Sequence, residues 1–263
     1  MQLNKQTIRE MITDGERLDG RDRDEFRDVE VETDYIHETA EGSAKVSIGK
    51  TQVLVGVKVN VEEPYPDRPG QGKIVTNAEL APMAAREYES GPPQEPGVEL
   101  ARVVDRGIRE SGAIDLEELC IEEGEKVYSV FIDVHVLNDD GSLIDASSLG
   151  AMAALMTGFI PEYDEEEGTL DRDEKVRDIP LVEEPVTVTG HKISDTIVWD
   201  TNGEEEEAQD ARLTVSINDN GNIVAMQKGE TAPYSQEEIM RTVEEARKKT
   251  QKFRELLHEE AGE

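Results

Sequence analysis

The chain has 263 residues, of which 28 are Lys or Arg and 61 are Asp or Glu, so its formal net charge is 28 − 61 = −33. Its single cysteine, Cys120, excludes an internal disulfide framework and fits a reducing cytoplasm. Neither a signal-peptide core nor an apolar run long enough to cross a bilayer is found, so we expect a cytoplasmic protein with no membrane partner.

The negative charge has two possible meanings. It could serve to bind basic partners or metal ions, or it could keep the surface soluble in molar salt, as in halophilic organisms. The acidic residues are spread along the whole chain, Lys and aromatic residues are few, and the carboxylates show no metal-like clustering. This distribution favours a halophilic surface over a metal-binding or partner-binding one.

Residues 1–28 are predicted to form a short helix, at 2–16, followed by a charged entry segment. Ile8, Met11 and Ile12 mark the apolar side of the helix. In the segment after it, arginines alternate with aspartates around Gly20. The pattern leaves open whether this segment is a solvated turn or a specific site.

Residues 29–160 read as the first of two halves. Three strands fill most of residues 29–61, and strict alternation of valines between Val53 and Val61 predicts a half-buried antiparallel strand. Proline-rich loops follow at 62–72 and 91–97, with another strand at 73–80 between them.

The helix predicted for residues 98–111 has two faces of opposite character. Its apolar face carries Leu100, Val104 and Ile108. Its basic face carries Arg102, Arg106 and Arg109. The arginines could pair along the helix with acids such as Asp105 and Glu110, or they could bind phosphate, whose oxygens match the planar guanidinium fork.

The most apolar stretch of the chain is residues 126–160. It predicts a strand at 127–137, a tight turn at 138–141 and a helix at 146–160. That helix has almost no charge on any side, so we expect it to be central, with the other elements packed around it.

The rest of the chain repeats the plan of strands followed by a helix. Residues 161–185 are predicted as an acidic connector, and residues 186–263 as a second half that ends in a long helix capped by Ser235. Within that half, residues 203–209 are predicted to be a solvated acidic loop. Two similar β-α halves predict an α+β fold of two layers.

The residues by themselves identify no catalytic centre. The four histidines are scattered, and the chain contains no phosphate-binding glycine loop, serine elbow or CxxC motif. Carboxylates are so abundant that no catalytic acid–base pair can be picked out, and we expect no metal and no cofactor.

Five segments resemble the RNase PH family, in the order in which that family has them. They are RLDGRDRDEFR at 17–27, ELARVVDRGIRES at 99–111, IDVHVLNDDGSLIDASSLGAMAAL at 132–155, QDARLTVSI at 209–217 and MQKGE at 226–230. The resemblance covers nearly the whole chain and is nearest to the branch of non-catalytic RNase PH-like subunits of the archaeal exosome. It implies two similar β-α halves with mixed or antiparallel sheets and packed helices.

For that branch, the resemblance also implies partners. Three non-catalytic subunits alternate with three copies of a catalytic RNase PH-like subunit in a hexameric ring. RNA-binding cap subunits sit on one side of the ring, which degrades single-stranded RNA from the 3′ end by phosphorolysis. Together with the acidic composition, the resemblance implies a halophilic archaeon.

Departures from the family pattern place the chain in the non-catalytic branch. Active members hold phosphate with a hydroxyl residue and an arginine after the central strand, where this chain has Leu143 and Ile144. Active members also have an aspartate that aligns with Ala211, although Asp210 precedes it by one position. The alternative is an independently active phosphate-dependent exoribonuclease with an unusual phosphate pocket.

The resemblance also gives the basic helix a role. It implies that Arg102 and Arg106 reach the subunit interface and hold RNA backbone in the partner's active site. Arg109 shares their face and is expected to contribute.

Overall fold

The structure is a computed structural model that describes residues 4–262. The helices are α1 Lys5–Thr13, α2 Glu95–Ser111, α3 Leu143–Met156, α4 Gly203–Glu207 and α5 Gln236–Ala261. The strands before α4 are β1 Val29–Thr33, β2 Gly42–Ile48, β3 Thr51–Glu62, β4 Lys73–Leu80, β5 Cys120–Glu122, β6 Lys126–Asn138, β7 Phe159–Asp164, β8 Thr169–Asp178, β9 Val186–Ile193 and β10 Thr196–Trp199. The last two strands are β11 Ala211–Ile217 and β12 Ile223–Gly229. Over these described residues, no helix has the length and hydropathy needed to cross a membrane.

The first sheet has six strands. Five follow the order β1-β2-β3-β6-β4, and β5 pairs with β6. The neighbours are antiparallel except β4 and β6, which run parallel. In β3, Val53, Val55, Val57 and Val59 are fully buried while the residues between them are half-exposed, which confirms the alternation predicted from the sequence.

Helix α3 is central, as its composition predicts, but its bounds differ from the prediction. It is buried on all sides from Asp145 to Leu155, and Gly150 lets it approach β3 closely, because a Cβ there would lie 2.8 Å from Val55 Cγ2. It begins at Leu143 and ends at Met156. Residues 159 and 160 belong to β7 and not to the helix, because Phe159 N–H donates to Glu41 O at 3.0 Å instead of to a carbonyl of α3.

The second sheet has the order β10-β9-β11-β12, with antiparallel neighbours throughout. Glycines show which helix covers each face. A Cβ on Gly107 of α2 would lie 3.2 Å from the hydroxyls of Thr187 and Ser216, and a Cβ on Gly190 would lie 3.0 Å from Thr242 of α5. The second sheet is therefore enclosed between α2 and α3 on one face and α5 on the other.

The segment predicted as an acidic connector folds into a hairpin. Strands β7 and β8 pair antiparallel, and almost every residue of β8 is exposed. The chain then passes through Leu181, which forms an isolated bridge with Ile114, before it enters the second half.

The prediction of a solvated loop at residues 203–209 is wrong. The structure has the short helix α4 there, with a capping box in which the Asn202 side chain accepts from Glu205 N–H and the Glu205 carboxylate accepts from Asn202 N–H. The Glu205 side chain is 0% exposed, because it faces the buried Arg17 rather than solvent.

The charged entry segment is a specific structural site and not a solvated turn. Arg17 Nη2 lies 2.6 Å from Glu205 Oε2, and the two side chains are 2% and 0% exposed. The same guanidinium donates to the carbonyls of Trp199 and Asp200 at 3.0 and 2.7 Å. Arg21 and Arg27 both bind the buried Asp200 carboxylate, at 2.8 and 2.6 Å. Three arginines thus fasten the segment to the second half.

We predict that Glu205→Gln lowers the free energy of unfolding by about 3 kcal/mol, because it leaves the Arg17 charge buried without its counter-ion. Chemical denaturation measures the change. The matched control is Glu207→Gln in the same helix, whose Lys5 pair at 3.9 Å is exposed, so that substitution should change stability little. Equal effects of the two substitutions would contradict the structural role of the buried pair.

Candidate nucleic-acid interface

Helix α2 carries the predicted basic face and has clear limits. Pro96 lies in its first turn, where a missing N–H costs nothing, and Gly112 ends it in the left-handed region at φ 69°. Its buried side is formed by Gly97, Leu100, Ala101, Val103, Val104, Gly107 and Ile108. This side packs on β4 of the first sheet and on the second sheet, so α2 lies where the two halves meet.

The three predicted arginines differ in what they contact. Arg102 is exposed and, among residues 4–262, has neither an ion pair nor a hydrogen bond. Arg106 is exposed and donates to Gln227 Oε1 on β12 at 2.8 Å. Arg109 pairs with Asp105 at 2.7 Å and donates to Ile74 O at 2.7 Å.

Arg109 is therefore paired with an acid along its own helix, and its hydrogen bond to Asp105 is the main cause of its raised pKa. Arg102 and Arg106 lie four residues apart, which places them side by side on the helix. Neither has a carboxylate partner within the described chain, so both present their full positive charge. The structure thus brings two of the three predicted residues together as free cations.

Gln227 belongs to the same surface, although the sequence pattern does not single it out. Its signal is weak, because alternating exposure along β12 marks it only as one of several half-exposed residues. Its contact with Arg106 joins residues 121 positions apart, which no local periodicity reports.

The turn before α3, where the resemblance implies a phosphate site in active enzymes, has two aliphatic side chains. Leu143 and Ile144 form the first turn of α3, and their side chains pack against the hydrophobic core. Ser142, in the left-handed region at φ 55°, donates its hydroxyl to Thr201 O at 3.2 Å. The side chains at these three positions therefore make contacts within the protein, and none of them offers a guanidinium to an anion.

A carboxylate of the protein itself takes the anion position at this helix end. Glu206 Oε2 accepts from Ser142 N–H at 2.9 Å, beside the N-terminus of α3, where the helix dipole favours negative charge. Asp139 Oδ1 accepts from the neighbouring Gly141 N–H at 3.0 Å. A phosphate dianion arriving here would meet two carboxylates.

One basic side chain does reach the turn. Arg27 donates to the carbonyl of Asp140 at 2.8 Å, but its guanidinium also lies 2.6 Å from Asp200 and 3.5 Å from the Asp140 carboxylate. Asp200 is buried, and its pKa is lowered by Arg27 against the opposing effect of burial. The charge of Arg27 is therefore already neutralised by the protein.

Asp210, which precedes the expected catalytic-acid position by one residue, is also engaged. Its two carboxylate oxygens accept from Arg9 Nη2 and from Ser194 N–H, both at 2.7 Å. The aligned residue, Ala211, is fully buried. Both oxygens of Asp210 thus hold α1 and the β9–β10 turn.

Asp145 is the buried acid next to the turn. Its Oδ2 accepts from Thr189 N–H at 3.0 Å, and its Oδ1 has no hydrogen-bond partner among residues 4–262. Burial raises the pKa of Asp145 to about 7, helped by the charges of Asp200 and Glu206. The surrounding core thus favours a protonated carboxyl.

The structure gives no indication of a metal centre within residues 4–262, where no group of three or more His, Cys, Asp or Glu side chains has the arrangement needed to hold an ion.

Comparison with protein-family models finds matches to two consecutive domains of one family. Residues 25–161 match the first domain of the 3′ exoribonuclease family, RNase PH, and residues 183–249 match its second domain. The chain belongs to the RNase PH family.

Relatives that align over nearly the whole chain show which members of the family it is similar to in sequence and structure. The chain is 48% identical over 262 residues to the exosome complex component Rrp42 of Thermococcus gammatolerans, covering 99% of this chain and 96% of that one. It is similar, with a TM-score of 0.88 and 45% identity, to a chain of the Archaeoglobus fulgidus exosome with RNA bound to the active site, covering 95% and 96% of the two chains. An archaeal exosome core gives a TM-score of 0.85 at 42% identity, with 96% and 95% covered.

We predict that the isolated chain has no saturable site for inorganic phosphate at the turn before α3 and releases no nucleoside diphosphates from poly(A), because Glu206 and Asp139 repel an anion there. Isothermal titration calorimetry measures the binding. A site with a Kd of about 0.1 mM would also add about 2.7 kcal/mol of stability at about 10 mM phosphate. Saturable heat together with product release would show an independent enzyme instead.

A second prediction concerns Asp145. The folded state keeps a proton that the unfolded state loses near the ordinary pKa of 3.8, so stability from this group is lost as pH rises toward about 7. Asp145→Asn removes that titration. Relative to the original protein, the variant should gain about 2–3 kcal/mol between about pH 5 and about pH 8. Urea denaturation at several pH values measures the gain, and a constant difference would disprove it.

Proposed function

We propose that this protein is a non-catalytic structural subunit of an archaeal exosome ring, which degrades RNA from the 3′ end by phosphorolysis. In this proposal it helps to structure the active site of a catalytic RNase PH-like partner, to which Arg102 and Arg106 contribute a hold on the RNA backbone. Its support is the full-length similarity to exosome components Rrp42 and to the Archaeoglobus fulgidus exosome, which has RNA bound to the active site.

The observation that carries the proposal is a contrast between two sites in one chain. The turn before α3 is closed to phosphate by Glu206 and Asp139, yet Arg102 and Arg106 stay unneutralised on a protein of net charge −33. Free guanidinium groups on such a surface serve binding rather than solubility. Arg109 contributes less, because Asp105 already neutralises it.

The full assembly belongs to the same proposal. Three copies of this chain alternate with three catalytic subunits in a hexameric ring, with RNA-binding cap subunits on one side, in the cytoplasm of a halophilic archaeon. At about 1 M salt the Debye length is about 3 Å, so repulsion between RNA and the acidic surface is screened. Binding then rests on close arginine–phosphate contacts.

We also propose that the chain divides into an entry segment at 1–28, halves at 29–160 and 186–263, and a joining segment at 161–185. The two family matches, at residues 25–161 and 183–249, support this division.

The test is the double variant Arg102→Glu and Arg106→Glu in a ring reconstituted with the catalytic partner. Each lost charge-assisted contact costs about 1.5 kcal/mol, so RNA affinity should fall about 100-fold, with slower phosphorolysis. Fluorescence anisotropy measures RNA affinity, and mass photometry shows whether the hexamer stays intact.

Arg241→Glu is the matched control, because it reverses an exposed arginine on α5, which covers the other face of the second sheet. It should leave RNA affinity unchanged. An intact ring whose RNA turnover does not respond to the double variant would refute the proposed role of the α2 face.

A further inference from the structure

Arg106 is held across the boundary between the two halves of the protein. Its Nη1 donates to Gln227 Oε1 at 2.8 Å, and this bond connects α2 with β12, the edge strand of the second sheet. Arg102, one turn earlier on the same face, has no such contact within residues 4–262. One of the two free arginines is therefore fixed in place.

The amide of Gln227 is itself oriented by charge. Its Nε2 donates to Glu99 Oε1 at 3.2 Å, and the same oxygen accepts from Arg212 Nη2 at 2.5 Å. Turning the amide over would place its NH₂ group against the Arg106 guanidinium and its oxygen against the Glu99 carboxylate. Both contacts would be repulsive, so the amide oxygen is directed toward Arg106.

Arg212 anchors the other end of this chain of contacts. Its side chain is 11% exposed, lies 3.6 Å from Glu230 and rests on Gly229, where an added Cβ would approach the guanidinium to 2.8 Å. The charges of Glu99 and Arg212 thus neutralise each other. The hydrogen bond from Gln227 to Glu99 fixes the orientation of the neutral amide, and that amide in turn holds Arg106.

The neutrality of Gln227 is the property that matters. A carboxylate in its place would hold Arg106 equally well but would cancel its charge, as Asp105 does for Arg109. The chain has 61 acidic residues and 28 basic ones, so an amide partner for an exposed arginine is notable. An amide restricts the guanidinium without satisfying its charge, which leaves it able to bind a phosphate oxygen.

We propose that Gln227 is a positioning residue that presents Arg106 to the phosphate backbone of single-stranded RNA, with the Glu99–Arg212 pair as its support. The inference rests on the proposed function, because it assumes that the α2 face contacts RNA.

The test uses the ring reconstituted with the catalytic partner and compares Arg106→Gln, Gln227→Glu and Gln227→Met by RNA affinity over a range of salt. Gln227→Glu should lower affinity as much as Arg106→Gln does, about 10-fold, and lower the salt slope of binding by about 0.7, since one cation is neutralised. Gln227→Met should lower affinity about 3-fold with an unchanged slope, since it removes only the hold on a charged side chain.

A structural role for Gln227 would not change the salt slope, which separates the two explanations. The double variant Arg106→Gln with Gln227→Glu should bind RNA no worse than Arg106→Gln. Gln251→Glu on α5 adds the same charge at an exposed site and should leave both affinity and slope unchanged.

The outcomes also separate this inference from the proposed function. If Arg106→Gln weakens RNA binding while both Gln227 variants bind as the original protein does, the positioning role is overturned and the proposed function stands. If Arg106→Gln has no effect, the positioning role is overturned together with the RNA contact assigned to Arg106, and the double variant Arg102→Glu with Arg106→Glu decides whether the α2 face contacts RNA through Arg102.

Discussion

The buried pair of Arg17 and Glu205 fixes the arrangement on which the other features depend. It joins the entry segment to the second half and sets the position of α4, the helix that carries Glu205. The next residue, Glu206, is thereby held against Ser142 N–H at the start of α3. Removing two charges from water costs several kcal/mol, and the carbonyls around Arg17 together with the α4 cap satisfy the groups that remain.

One consequence is that the acidic residues of this chain have two kinds of role. Most are solvated, but Glu205, Glu206 and Asp200 are specific partners of buried groups. At the turn before α3, Glu206 and Asp139 occupy the place that an anion would need. This turn therefore presents carboxylates to an incoming anion, while Leu143 and Ile144 turn to the core.

On the basic face of α2, the kind of partner decides whether an arginine keeps its charge. Asp105 neutralises Arg109, whereas the amide of Gln227 holds Arg106 and leaves its charge available. Coulomb attraction decides the difference, because a carboxylate competes with phosphate for the same guanidinium and an amide does so only weakly. In a strongly acidic protein, a binding arginine must be kept away from the protein's own acids. The junction between α2 and β12 achieves this.

Local patterns in the sequence determined the valine strand β3, the apolar α3, the two faces of α2 and membership of the RNase PH family. These depend on periodicity and short motifs, which act between residues near one another in the chain. Only the tertiary structure decided that Glu205 is buried, that residues 203–207 form a helix and that Arg106 rather than Arg109 is free. Those outcomes rest on contacts such as Arg17 with Glu205 and Arg106 with Gln227, which join residues 188 and 121 positions apart. The energy of a charged side chain is set by the partner that folding brings to it, and spacing along the chain carries no record of that partner.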